Sequence, residues 1–107
     1  MKKSKVIWTN TAVRDLDDII EYILLDSTNS AIEQYQKIKE ATKELIVFPK
    51  SGRIIPELYE QNITKFREII ITPWRIMYKV DANTVYVMAI IDGRRNIEDI
   101  LLRRNIR

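Results

Sequence analysis

The chain contains no cysteine and no histidine. Those two absences remove thiol nucleophiles, disulfides, histidine general bases and the usual zinc ligand sets together. Any chemistry must come from Lys, Arg, Tyr, Asp or Glu. Glycine is scarce too: only Gly52 and Gly93 occur, so there is no glycine-rich loop to cradle a phosphate, and nucleotide hydrolysis is not supported. No apolar run approaches the roughly 18 residues of a membrane span. Met1-Lys2-Lys3-Ser4 leads into a polar segment, so no secretory leader is expected. These features point to a cytoplasmic protein without a cofactor.

What is present fits a soluble globular protein: 46% hydrophobic and 31% charged residues, a balance that argues against disorder. At 107 residues a single domain spanning 1–107 is expected, with enough chain for a real core. The formal charge of +3 is unevenly spread. The excess of basic over acidic residues lies after residue 62, and Arg67, Arg75, Arg94, Arg95, Arg103, Arg104 and Arg107 all fall there. Guanidinium forks suit phosphates and carboxylates, so this half of the chain points modestly to an anionic partner, nucleic acid or an acidic protein segment.

The second half also carries the strand signals. Ile69-Ile70-Ile71, Ile76-Met77-Tyr78 and Val85 to Ile91 are runs of β-branched and aromatic residues. They are bounded by turn signals at Thr72-Pro73, Ala82-Asn83 and Asp92-Gly93. The intervals are too short for a crossover helix, so an antiparallel meander is predicted. Alternation puts Trp74, Ile76, Tyr78 and Val80 on one face of the middle strand and Arg75, Met77 and Lys79 on the other. In the last strand the same rule sets Val85, Val87, Ala89 and Ile91 against Tyr86, Met88 and Ile90. Both sets are mostly apolar, so the strand needs two covers, one of which is expected to be a partner.

The first half reads as the other cover. Lys5 to Trp8 is predicted as a strand joining the sheet at an edge, and Thr9-Asn10-Thr11 supplies N-cap residues for a helix with the stripe Val13, Leu16, Ile19, Ile20, Ile23 and Leu24. Ser30-x-x-Glu33 has the form of a capping box opening a second helix, striped by Ile32, Tyr35, Ile38, Thr42, Leu45 and Ile46 and ended by Pro49. Arg53 to Leu58 is expected to be an extended connector. Asn96 is expected to cap a short C-terminal helix bearing Ile97, Ile100 and Leu101, with Arg103 and Arg104 at its end. The class is α+β: an N-terminal strand, an antiparallel helical hairpin packed on an antiparallel β-meander, and a short helical tail.

Asp15, Asp17, Asp18 and Glu21 read as a solvated helix face rather than a metal site, since no further ligand set accompanies them. No metal is expected. Arg75, Arg94 and Arg95, with Lys65 and Arg67 at the start of the neighbouring strand, form a set able to hold phosphate. A proton-transfer residue is missing beside it. Of the five tyrosines only Tyr59 falls in a predicted loop.

Four motifs occur in order: G-R-x-x-P-E at Gly52 to Glu57, F-R-E at Phe66 to Glu68, W-R-I-M-Y at Trp74 to Tyr78 and G-R-R at Gly93 to Arg95. With the order strand, helical hairpin, meander, the chain resembles the RelE/ParE superfamily of bacterial type II toxins over nearly its whole length. The resemblance implies a small cytoplasmic toxin of a toxin–antitoxin or plasmid-stabilisation module, wrapped by a cognate antitoxin in a hetero-oligomer. RelE-like members cleave mRNA on the ribosome through a strand arginine matching Arg75, a second matching Arg95, and a C-terminal tyrosine. ParE-like members share the fold and poison DNA gyrase.

Here the position nearest that tyrosine is Leu101. Phe66 and Glu68 stand where RelE-like enzymes carry lysines, with Lys65 and Arg67 one step out of phase. The ParE-like side is therefore favoured, with a ribosome-dependent nuclease (candidates Arg75, Arg95, Lys65 and Arg67) as the alternative and a non-toxic regulatory member as a third reading. On the favoured reading no catalytic residue is assigned. Arg75, Arg94, Arg95, Arg103 and Arg104 contact the target, and Arg75, Met77 and Lys79, or the groove beside them, take the antitoxin.

Overall fold

Residues 3–107 are described by the computed structural model. Met1 and Lys2, which belong to the segment bearing on a leader, lie outside the described residues. β1 (Lys5–Trp8) runs into Thr9, whose side chain accepts a hydrogen bond from the Ala12 amide at 3.2 Å and so caps α1 (Asn10–Leu24). The buried stripe of α1 is Ala12 and Leu16, with Ile19, Ile20 and Ile23 packed beside them. Val13 and Leu24, expected in that stripe, lie at its margins and are exposed.

A link of three residues leads to α2 (Thr28–Lys43). Its cap is Ser27, which accepts from the Ser30 amide, and not Ser30 as the capping-box spacing suggested. Its buried stripe is Ala31, Ile38 and Thr42, while Ile32 and Tyr35, expected in that stripe, are exposed. The helix ends at Lys43, and a single 3₁₀ turn, Glu44–Ile46, buries Leu45 before Pro49.

The sheet has five strands in the order β1-β5-β4-β3-β2. β3 (Phe66–Ile71), β4 (Trp74–Asp81) and β5 (Thr84–Asp92) form the expected antiparallel meander. β1 adds in parallel at the β5 edge. The predicted extended connector divides in two: β2 (Arg53–Ile54) pairs with β3, and α3 (Pro56–Tyr59) follows. Proline at the first helical position explains the change, because its ring presets φ and its missing N–H would have no partner there. At the opposite end Asn96 caps α4 (Ile97–Arg103) by accepting from the Asp99 amide.

Directly opposed residues share a face. Trp74, Ile76 and Tyr78 therefore lie under the helical hairpin, as alternation predicted. Met77 lies on the other side, where Ile55, Leu58, Phe66, Ile97, Ile100, Leu101 and Ile106 close over it. The second cover of the sheet is thus internal, where a partner had been expected.

Strict alternation fails once. Met77 pairs with Ala89 but Tyr78 pairs with Val87, so Met88 is an extra residue and β5 bulges there. The bulge puts Ala89 and Ile91 on the face opposite Val85 and Val87, against the simple period-two reading. It falls where β1 leaves the sheet. Thr9 then donates its hydroxyl to the Val87 carbonyl at 2.9 Å, and the Asp15 carboxylate accepts from the Ile90 amide at 3.0 Å, so side chains replace the departed strand. Among the described residues no helix is long and apolar enough to cross a membrane.

Candidate functional site

Beside Met77, on the face covered by α3 and α4, the sheet buries charge. Glu68 in β3 has no exposed side-chain surface, and Arg75 in β4 retains about a tenth of its own. Arg75 Nε donates to Glu68 Oε1 at 2.7 Å and its Nη2 to Oε2 at 3.0 Å. The outer edge of the guanidinium donates to both oxygens of Glu57, on α3, at 2.8 and 2.6 Å. From the β2 edge, Arg53 Nε donates to Glu68 Oε2 at 2.7 Å. Two arginines and two carboxylates thus balance in charge, and both forks of Arg75 are occupied.

The electrostatics follow. Hydrogen bonds from Arg75 hold the Glu57 carboxyl below the usual carboxylate range, against the opposing effect of burial. Glu57 and then Glu68 push the Arg75 guanidinium further up, so its charge is permanent. Gly93 allows this approach, since a Cβ there would stand 3.2 Å from Arg75 Cδ and from the Pro73 carbonyl oxygen. Gly52 is required more strictly: a Cβ would lie 2.6 Å from the Glu68 carbonyl oxygen and 2.7 Å from Tyr78 Oη. Tyr78 Oη accepts from the Gly52 amide at 2.9 Å, and burial pushes its phenol up.

An open groove of about 750 Å³ lies beside the network, with Arg53, Arg75 and Arg94 around Ile70, Pro73 and Gly93. Arg94 is exposed and folds back on Asp92, donating from Nε at 2.9 Å and from Nη2 at 2.6 Å. Those bonds hold the Asp92 carboxyl down at about 2. Arg95 borders a different pocket, on the α1 side of the sheet.

Residues 6–97 match the family described as "ParE toxin of type II toxin-antitoxin system, parDE". The chain belongs to that family. It is 27% identical over 94 residues to Toxin ParE3 of Caulobacter vibrioides, a match spanning 87% of this chain and 90% of that protein. In three dimensions it is similar to a solved chain of the chromosomal ParDE TA system from P. aeruginosa, with a TM-score of 0.68, covering 86% of this chain and 98% of that one. At 22% identity that likeness establishes the fold.

Within this ParE-family chain the arginines named from sequence do not converge. Arg67 opposes Tyr78, so it lies on the hairpin side of the sheet, and it donates to the Gly52 carbonyl at 2.8 Å. Arg75 lies on the other side. Lys65 is exposed ahead of β3, and Lys79 is half-buried with its Nζ 5.7 Å from the centre of the Tyr86 ring. Met77, named as an antitoxin contact, is wholly buried beneath the C-terminal segment and offers no contact surface in this state.

The C-terminal arginines differ from each other as well. Arg103 is exposed and pairs with Asp99 one turn away. Arg104 donates two hydrogen bonds to Asp15, at 2.6 and 2.9 Å, which tie it to α1. Asp15, read as part of a solvated face, is therefore a structural anchor. Leu101, at the position nearest the superfamily tyrosine, is buried in the core. Tyr59 ends α3 and is exposed.

Glu57 and Glu68 were not singled out from sequence as partners of Arg75, nor Arg53 as a partner of Glu68. A signal existed for Glu68: in β3 it shares the inward phase of Phe66, and a charged residue at an inward strand position requires a partner. Glu57 offered none, because only the turn of α3 swings it over the sheet.

Proposed function

We propose that this chain is the toxin of a type II pair, neutralised by a cognate antitoxin, and that it acts on DNA gyrase without cutting RNA. The observation that carries the reading is the state of Arg75. An arginine that is to hold a phosphodiester must have a free fork, and this one is bound along both edges by Glu57 and Glu68. Proton transfer is the second deficit: general acid–base help contributes about a hundredfold to ten-thousandfold, and the position that would supply it is a buried leucine. Arg67 and Arg75 on opposite faces of the sheet supply a third.

On this reading the target-facing arginines are the exposed ones, Arg94, Arg95 and Arg103, and gyrase as target puts the protein's action in the cytoplasm. The antitoxin takes the groove beside Arg75, between Arg53 and Arg94, with a segment whose carboxylates match the rim. The test adds purified protein to gyrase supercoiling reactions and to translating ribosomes in parallel, with the antitoxin from the same operon as a control. Inhibited supercoiling with intact mRNA, relieved by the antitoxin, is expected. Codon-dependent mRNA cuts that vanish in a folded Arg75→Ala variant, with supercoiling unaffected, would overturn it in favour of the nuclease. Expression without any growth defect would favour the regulatory reading.

A further inference from the structure

β2 covers only part of the outer edge of β3. It pairs with Arg67 and Glu68, and beyond it the Ile55 amide donates to the Phe66 carbonyl at 3.2 Å. Hydrogen bonding alternates along an antiparallel strand, so Phe66, Glu68 and Ile70 all turn their backbone groups to the β2 side. The other side of the sheet agrees. The Gly93 amide donates to the Pro73 carbonyl at 2.8 Å, so by the same alternation Arg75 turns its backbone groups to β5 and none to Ile70, which stands opposite it. β2 does not reach Ile70 either. Before Arg53 the chain leaves the sheet at Gly52, whose amide and carbonyl bond to Tyr78 Oη and to Arg67 on the hairpin face. The Ile70 N–H and C=O therefore have no partner among the described residues, on a residue that is 43% exposed.

This open edge borders the groove of Arg53, Arg75 and Arg94, and no acidic side chain lines that groove. Arg53 is more than half exposed and bonds Glu68 through Nε alone, which leaves both of its Nη groups without an acceptor among the described residues. Glu68 has no exposed side-chain surface and lies behind the two guanidiniums that enclose it. Arg53, Glu68, Ile70 and Arg75 all point to one face, because directly opposed residues share a face and every second residue of a strand does too. A residue added opposite Ile70, in the line of β2, points its side chain to that same face, two places from Arg53. We propose that an extended segment of a partner protein adds to the sheet here, exchanging both backbone hydrogen bonds with Ile70 and setting a glutamate or aspartate opposite it, against the unused Nη groups of Arg53. A peptide is favoured over a nucleic acid because the Ile70 carbonyl needs a donor and its N–H an acceptor at strand spacing, and a phosphodiester has no donor. The charge-assisted bond to Arg53 fixes the register of the added strand. The inference rests on the reading of this groove as the antitoxin's, and it adds how the segment is held and which of its residues meets Arg53.

The probes are an acetylated, amidated Thr-Val-Thr-Glu-Thr peptide, its Gln counterpart, and the Glu peptide N-methylated either at the glutamate or at the threonine after it. Binding is followed by chemical shift and amide hydrogen exchange in the ¹⁵N-labelled chain. Without peptide, the Ile70 amide is expected to exchange faster than those of Ile69 and Ile71, which bond to β4. The Glu peptide is expected to slow Ile70 and leave the other two unchanged. The Gln peptide is expected to bind about tenfold more weakly, the effect of losing one charge-assisted hydrogen bond. N-methylation at the glutamate should weaken binding by about as much, since that N–H donates to the Ile70 carbonyl. Methylation of the following threonine, whose N–H points away from β3, should leave binding unchanged. An Ile70 amide already protected without peptide, or unchanged at the highest peptide concentration, would overturn the proposal, as would equal binding of the Glu and Gln peptides or equal effects of the two N-methyl groups. The antitoxin from the same operon separates this inference from the reading beneath it. Antitoxin that binds and leaves Ile70 unprotected would overturn strand addition alone, and antitoxin that does not bind would overturn both.

Discussion

Ile76 and Arg75 are neighbours in β4, yet they enter two different interiors. Ile76 sits under the helical hairpin with Leu16, Ile38 and Trp74, an apolar layer built from side chains that need only volume and contact. Arg75 sits on the opposite face beside Met77, in a layer that also holds Glu68, Glu57 and Arg53. The apolar side tolerates swaps that conserve volume. The charged side is all-or-none, because each group is satisfied only while the others are present. The difference lies in two carboxylates, Glu57 and Glu68, which bind both edges of the Arg75 guanidinium and make it part of the interior on this face.

The comparison is tested most severely by Glu68→Ala. It strands Arg75 on its inner edge, and a loss of about 3–5 kcal/mol is expected from the urea midpoint at unchanged slope. The double variant Glu68→Leu with Arg75→Met should recover most of that loss, which no second substitution does for Ile76→Ala on the apolar side. A Glu68→Ala cost under about 1 kcal/mol would abolish the distinction between the two faces.

Arg104→Ala comes next. It removes two charge-assisted hydrogen bonds from Asp15, for about 1.5–3 kcal/mol. The loss should concentrate in the C-terminal cover, so amides of Ile100 and Leu101 should exchange faster in hydrogen exchange while those of Leu16 and Ile38 stay protected. Equal acceleration on both sides would mean that the two covers unfold as one.

A smaller effect is expected with pH from the charged face. The folded Glu57 carboxyl lies below its ordinary value of 4.5, so its contribution is fully present above that value and is lost as pH falls through the folded one. Urea midpoints taken between about pH 5 and pH 3 should fall more steeply for the natural chain than for Glu57→Gln. Parallel slopes would show that the outer bond to Arg75 adds nothing. Smallest of all, Arg94→Ala should leave the midpoint unchanged, since its pair with Asp92 is exposed to solvent.

Much of this was legible in the chain itself. The meander, the helical hairpin, the cap at Asn96 and the inward face of Trp74, Ile76 and Tyr78 follow from periodicity and turn residues. Other features lay beyond such rules. The cap falls at Ser27, one turn before the capping box at Ser30. The bulge at Met88 depends on where β1 departs, which no pattern within β5 records.

The sequence by itself determined that any chemistry is limited to Lys, Arg, Tyr, Asp and Glu, since cysteine and histidine are absent, and it determined the α+β order that carries the family resemblance. Only the tertiary structure decided which arginines are available. Arg75 and Arg104 are enclosed by carboxylates from α3, β3 and α1, whereas Arg94, though paired with Asp92, and Arg95 are exposed at the surface. The physical reason is that an ion pair is decided by distances of a few ångströms between segments far apart in the chain. Asp15 and Arg104, 89 residues apart, meet only after the sheet and both its covers are in place.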